Sequence, residues 1–300
     1  MTKSTEINKS LCFANFRTRK AGGHKGNFGK VLIMAGSEEY PGAGIMAANG
    51  ALRSGVGIVT LALPDCLKGT LPFTISPEII LRYFPSEKGG FSFSLSQAVG
   101  LCSDYDAVLV GCGWGKSQSR LDCLKNISSA CNSSLIIDAD ALNLIAENQA
   151  YEIIEKSNAK TIITPHIGEF TRLLRQTFLD LELQNRLKLA KEFAELHNTI
   201  VVQKSSLTIV TDSDKEFVCS QPNSGLAKGG SGDLLAGLIA GLVASKQCKD
   251  NLYAAALGVY LHSQAGLLAK NVYTECGMTI SDVADYIPMA WADFLNEENL

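Results

Sequence analysis

From Lys30 onward the chain alternates short, β-branched apolar runs with longer amphipathic or small-residue stretches. That alternation is the pattern of βα units around a mostly parallel sheet. Seven runs predict strands: KVLIMAG (30–36), GIVTLAL (57–63), EIILRYF (78–84), DAVLVG (106–111), SLIID (134–138), KTIIT (160–164) and TIVVQK (199–204). Within each run apolar and polar positions hardly alternate, so helices are expected on both faces of the sheet. The intervening stretches predict helices over 43–54, 93–103, 117–131, 140–147 and 181–197. After Lys204 the rhythm changes. LTIVT and KEFVCS, joined by DSD, predict an antiparallel hairpin at the sheet edge. Helices then dominate, and Leu234–Ala244 and Leu252–Lys270 are so rich in Ala, Gly and Leu that they should pack closely.

No linker-like run interrupts residues 24–290, so one domain over 21–300 is expected behind a poorly specified arm at 1–20. A formal charge of −3, with neither sign gathered in blocks, argues against nucleic-acid and membrane-surface partners. Nine scattered cysteines without a C-x-x-C pair point to reduced thiols rather than a zinc site or disulfides. The greasiest stretch is broken by Gly237 and Gly241, and the N-terminus has no apolar signal core. The cytoplasm is the expected compartment.

The strongest local signal is AKGGSGDLLAG, where a glycine-rich turn opens straight into an apolar helix. Backbone N–H groups at a helix start are unpaired and lie at the positive end of its dipole. Gly229, Gly230 and Gly232 would let that backbone approach a phosphate, and Ser231 adds a hydroxyl. Asp233 is out of place in a purely anion-binding turn; it is either a general base for a hydroxyl nucleophile or a helix-start residue. TPHIGE (164–169) ends a predicted strand, where open α/β sheets place ligands, making His166 and Glu169 candidates. The competing reading is a surface histidine and a helix-capping glutamate. VLVGCGWGKS suggests a dinucleotide fingerprint, but Gly111, Gly113 and Gly115 are followed by Lys116 where a third fingerprint glycine is needed. In IIDADALN, Asp138 and Asp140 could help hold magnesium through water, or one of them could cap the following helix. His24, His197 and His262 are isolated and read as ordinary histidines.

Taken in order, HKGNFGKVLIMAGS, YPGAGIMAA, the G-x-G-x-G run, DADALN, TPHIGE, QKSSLTIV and NSGLAKGGSGDLLAG resemble the NAD(P)H-hydrate dehydratases of the ribokinase-like superfamily, over about residues 24–287. The resemblance implies a ribokinase-like α/β fold with a central, mostly parallel sheet flanked by helices on both faces. It also implies repair of the S-epimer of hydrated NADH or NADPH, driven by ADP or ATP with Mg2+. Ala43, Gly113, His166 and Asp233 then match positions contacting the hydrated dinucleotide, with Asp233 as base. Lys204, Ser205, Ser206, Leu207 and Thr208, together with the Gly229–Gly232 turn, match positions holding the adenine nucleotide. Glu169 and Asp138 are weak metal candidates. A homo-oligomer, a tetramer in the family, and a separate epimerase partner are further implications. Two departures stand out: relatives commonly have Gly and His where this chain has Ser205 and Leu207, and Pro where it has Cys112. The competing readings are a small-alcohol kinase of the same superfamily, such as a hydroxymethylpyrimidine or hydroxyethylthiazole kinase, and a catalytically silent nucleotide-binding protein. His166, standing where such kinases carry Asn, and the intact GGSGD turn argue against them.

Overall fold

All seven apolar runs become neighbouring strands of one sheet in the computed structural model, which describes residues 4–70, 75–155, 161–175 and 183–296. In chain order the strands are β1 (Thr5–Glu6), β2 (Lys30–Met34), β3 (Ile58–Pro64), β4 (Ile80–Phe84), β5 (Ser86–Glu87), β6 (Gly90–Phe91), β7 (Ala107–Val110), β8 (Ser134–Ile137), β9 (Thr161–Ile163), β10 (Thr199–Gln203), β11 (Thr208–Thr211) and β12 (Glu216–Cys219). The helices are α1 (Lys9–Phe13), α2 (Pro41–Leu52), α3 (Leu95–Cys102), α4 (Gln118–Ala130), α5 (Asp140–Asn148), α6 (Glu152–Glu155), α7 (Ile167–Leu174), α8 (Leu183–Leu196), α9 (Ser231–Ser245), α10 (Asn251–Gly277) and α11 (Ile280–Leu295). Residue 160 of the expected strand and residues 181–182 of the expected helix lie outside the described residues.

Ten strands run in the order β4-β3-β2-β7-β8-β9-β10-β11-β12-β1, with β5 and β6 forming a separate small hairpin. From β4 to β10 every pairing is parallel; β11 and β12 are antiparallel. The expected edge hairpin is therefore one strand short of the edge, because β1 pairs with β12 through Thr5↔Phe217 and Glu6↔Val218. Two polar residues carry no apolar signal, and only the unpaired backbone of β12 makes them a strand. The other edge, β4, also departs from expectation: Ile80 is 48% exposed, so this run is not covered on both faces.

Strand residues divide alternately between two cores. Val31, Ile33, Ala107 and Leu109 pack on the side of α2, α9, α10 and α11. Leu32, Met34, Val108 and Val110 pack on the side of α3, α4, α5, α7 and α8. Burial of both faces explains why the runs show no alternation in sequence. The α2 helix starts two residues earlier than its apolar pattern suggests because Pro41 occupies the first helical turn, where its fixed φ and missing N–H cost nothing. It lies backbone-to-backbone with α9: a Cβ on Gly237 would sit 1.8 Å from the Ala47 carbonyl oxygen. That contact fixes how closely α9 approaches α2.

Strands β2 to β4 spread to one side and β7 to β10 to the other, so β2 and β7 are neighbours whose following loops diverge. Such a switch point opens a crevice at the carboxyl ends of the strands. The loops are tied there by the Gly36 N–H donating to the Cys112 carbonyl at 2.8 Å. Among the described residues no helix is long and apolar enough to cross a membrane.

Candidate active site

The glycine-rich turn caps α9. Gly230 is the N-cap with φ 91°, a conformation few L side chains adopt, and Asp233 stands in the first turn. The turn borders a cavity of about 680 Å3, closed by the β10–β11 turn, the segment 221–228 and α10, a size suited to a nucleotide-like ligand. All of Lys204–Thr208 except Leu207, and all of Gly229–Gly232 except Gly230, line it, as does His166.

Beside this cavity lies a buried ionic centre. Lys204 Nζ donates to Asp138 Oδ1 at 2.7 Å, joining β8 to the end of β10. Burial works to lower the Lys204 pKa, but the attraction of Asp138 and Glu169 outweighs it and raises the value. Asp138 Oδ2 lies 3.8 Å from the Cys112 thiol, and ligand atoms of Cys112, Asp138 and Asp233 all fall within 4.8 Å of one another. Desolvation, then repulsion from Asp138, pushes the Asp233 carboxyl up to about 6, against the pull of Lys204. Cys112 is pushed well above the usual thiol range, first by burial and then by Asp233 and Asp138, and so stays a neutral thiol. A carboxylate near 6 is charged at neutral pH and still basic enough to accept a proton from a hydroxyl.

At the switch point, Gly113 has φ 62°, and a Cβ there would lie 2.6 Å from the Ala43 Cβ and 2.9 Å from the Tyr40 Cβ. Ala43 of α2 and Gly113 in the loop after β7 thus pack closely against each other at the switch point. Gly113 follows Cys112, which touches Asp233, and His166 forms a β-bridge with Lys204. The structure therefore brings Ala43, Gly113, His166 and Asp233 to one end of the sheet. The tandem aspartates do not follow the capping reading. The N-cap of α5 is Ala139, with φ 54° and no side-chain bond, so neither aspartate caps it. Asp140 instead accepts the Gly115 N–H at 2.8 Å, and Asp138 holds Lys204.

For TPHIGE the capping alternative is realised. His166 is the N-cap of α7, its Nδ1 accepting the Glu169 N–H at 3.2 Å, while Glu169 Oε2 accepts the His166 N–H at 2.8 Å. Yet His166 also reaches the cavity wall, so capping and ligand contact are compatible. Burial, then Asp138, pushes Glu169 up to about 7. Its other oxygen, Oε1, lies 3.3 Å from His166 Nε2. Asp138 and Asp233 offer the hard oxygen atoms that Mg2+ prefers alongside phosphate oxygens.

Three of the wall residues that sequence reasoning missed carry polar groups whose pairing, or lack of it, is telling. His262, set aside as ordinary, lines the cavity from α10, with Nε2 3.4 Å from Ser231 Oγ; burial holds its pKa down to about 4. Asn223 leaves a buried Nδ2 without a partner. Lys228 spends its ammonium on the Glu275, Cys276 and Met278 carbonyls at the end of α10. Asn223 and Lys228 lie in the quoted NSGLAKGG motif, so position within it was the available signal; His262 had none.

Comparison with known proteins bears on this geometry. The family model described as NAD(P)H-hydrate dehydratase matches residues 31–289. A bifunctional NAD(P)H-hydrate repair enzyme of Moorella thermoacetica is 32% identical over 285 residues, 94% of this chain and 53% of that one. The chain spans about half the length of the curated relatives it matches. An ADP/ATP-dependent NAD(P)H-hydrate dehydratase from Bacillus subtilis, co-crystallised with ATP and Mg2+, superimposes with a TM-score of 0.79 at 27% identity, covering 98% of this chain and all of that one. A ribokinase-like superfamily protein from Enterococcus faecalis gives 0.81 at 25% identity, covering 98% and 97%. A family model that matches residues 31–289 and relatives more than 30% identical over nine-tenths of the chain show that it belongs to the NAD(P)H-hydrate dehydratase family.

Proposed function

We propose that this protein restores NADH or NADPH from the S-epimer of the hydrated dinucleotide, consuming ADP or ATP. The observation that carries the reading is the position of Asp233, a carboxylate pushed up to about 6 that directly follows Gly232 of the cavity wall and clusters with Asp138 and with Cys112, the neighbour of Gly113. The hydrated ring lies along Ala43, Gly113 and His166. The adenine nucleotide occupies the cavity against Lys204–Thr208 and the Gly229–Gly232 turn. Asp233 takes the proton from the ring hydroxyl as its oxygen attacks the terminal phosphorus. The bond from that phosphorus to the bridging oxygen breaks, and AMP or ADP leaves. The ring C–O bond then breaks with its electron pair going to phosphate, and loss of a proton from the adjacent ring carbon completes the double bond. Backbone N–H groups of the turn stabilise charge on the transferring phosphoryl group. Mg2+, when bound with the nucleotide, would neutralise phosphate charge beside Asp138 and Asp233.

The same reading treats residues 21–300 as one catalytic domain, acting in the cytoplasm as a homo-oligomer and alongside an epimerase on a separate chain. The test is incubation with hydrated NADH and ADP or ATP, following the absorbance of the restored dihydronicotinamide and the release of phosphate. Stoichiometric recovery of both is expected. A stable phosphorylated product would instead mark a kinase, and no turnover with nucleotide bound would mark a silent binding protein.

A further inference from the structure

One buried cation on α8 has no part in the chemistry above. Arg186 is 4% exposed, and its guanidinium reaches the turn between β10 and β11. Nη1 donates to Ser205 Oγ at 2.7 Å and Nη2 donates to the Leu207 carbonyl at 2.6 Å. Ser205 Oγ in turn donates to the Leu207 carbonyl at 2.6 Å and accepts the Leu207 N–H at 3.1 Å. A hydroxyl has one donor and two acceptor positions, and here all three are used. Thr208 Oγ1 closes the turn by donating to the Ser205 carbonyl at 3.1 Å. Ser205 itself, with Ser206 and Thr208 of this same turn, lines the cavity.

The arrangement is a turn whose outer rim is gripped by a planar two-pronged cation while its inner rim forms the cavity wall. A guanidinium suits the task because its donors are held in one rigid fork, whereas an ammonium is a point charge on a flexible stem. We infer that Arg186, acting through Ser205 and Leu207, is the positioning residue that sets the nucleotide side of the cavity. The inference rests on the proposed function for the identity of the ligand. Nucleotide affinity in this chain then depends on a residue that does not line the nucleotide cavity.

The test compares Arg186→Met, Arg186→Lys and Ser205→Ala in the full chain, measuring KM for ADP and ATP, KM for hydrated NADH, kcat and melting temperature. Losing charge-assisted bonds of this kind should raise the nucleotide KM about ten-fold or more in Arg186→Met and Ser205→Ala. In Arg186→Met, saturating kcat and the KM for hydrated NADH should stay within about two-fold. Arg186→Lys should recover only part of the loss, and the double variant Arg186→Met/Ser205→Ala should be little worse than the worse single one, as expected of residues acting through one network. An unchanged nucleotide KM in folded variants overturns the inference. So does a parallel rise in both KM values with a fall in kcat, which would mark a generally loosened fold. If Arg186→Met does not fold, Arg186→Lys decides, because it keeps a cation while losing the rigid two-pronged fork, and an unchanged nucleotide KM in it overturns the inference. A wild-type protein that binds neither ADP nor ATP by calorimetry would instead overturn the functional reading on which the inference depends.

Discussion

Lys204 and Asp138 form a buried ion pair across two parallel strands, 2.7 Å apart, with Asp138 only 1% exposed. Removing one partner leaves a stranded charge, which costs more than the pair itself contributes. Lys204→Met should lose about 3–5 kcal/mol of stability, and Lys204→Met/Asp138→Asn should regain part of it. Denaturant unfolding of the two variants checks this, and a single variant as stable as wild type would contradict it.

Asp233→Asn removes a base while keeping the side chain's size. Turnover should fall roughly 100-fold or more, with nucleotide affinity held or improved as repulsion with phosphate is lost. In the wild type, kcat/KM should rise with pH through about 6 and level off above it, and that limb should vanish in the variant.

The same substitution has an opposite effect on stability. Desolvation, then Asp138, holds the folded-state value near 6, above the ordinary 3.8, so the folded chain binds the extra proton and stability falls as pH climbs between those values. Above pH 7 Asp233→Asn should therefore stabilise the fold by roughly 1–3 kcal/mol. Thermal unfolding at pH 5 and pH 8 checks it, with the larger gain expected at the higher pH.

His166→Asn separates capping from ligand contact, because Asn is among the best N-cap residues. The melting temperature should stay near wild type while the KM for hydrated NADH rises about ten-fold. Unchanged kinetics would reduce His166 to a cap.

Gly113→Ala should push α2 away from the crevice, given a Cβ that would lie 2.6 Å from that of Ala43 at a φ of 62°. A loss of about 1–3 kcal/mol is expected, with the KM for hydrated NADH raised and ADP affinity, measured by calorimetry, unchanged.

Local chemistry along the chain was enough to reveal the βα rhythm, the seven core strands and the glycine turn opening α9. Continuous β-branched runs and a Gly-rich helix start act through the backbone within a few residues, so they are written where they act. The order of the motifs was enough to bring Asp233, His166, Ala43 and Gly113 into one candidate site. What strand order and packing alone settled was the company those residues keep. Asp138 meets Lys204 from 66 positions away and Asp140 meets Gly115 from 25, pairings created by the order of parallel strands, β8 lying beside β7 and one strand away from β10. His262 reaches the cavity only because α10 packs against α9, and Arg186 finds Ser205 only because α8 lies over β10 and β11. Even the edge strand Thr5–Glu6 exists because β12 leaves its backbone groups unpaired. Periodicity reports which face of an element is buried, but a hydrogen bond or ion pair depends on which distant element lies opposite, and no local pattern encodes that.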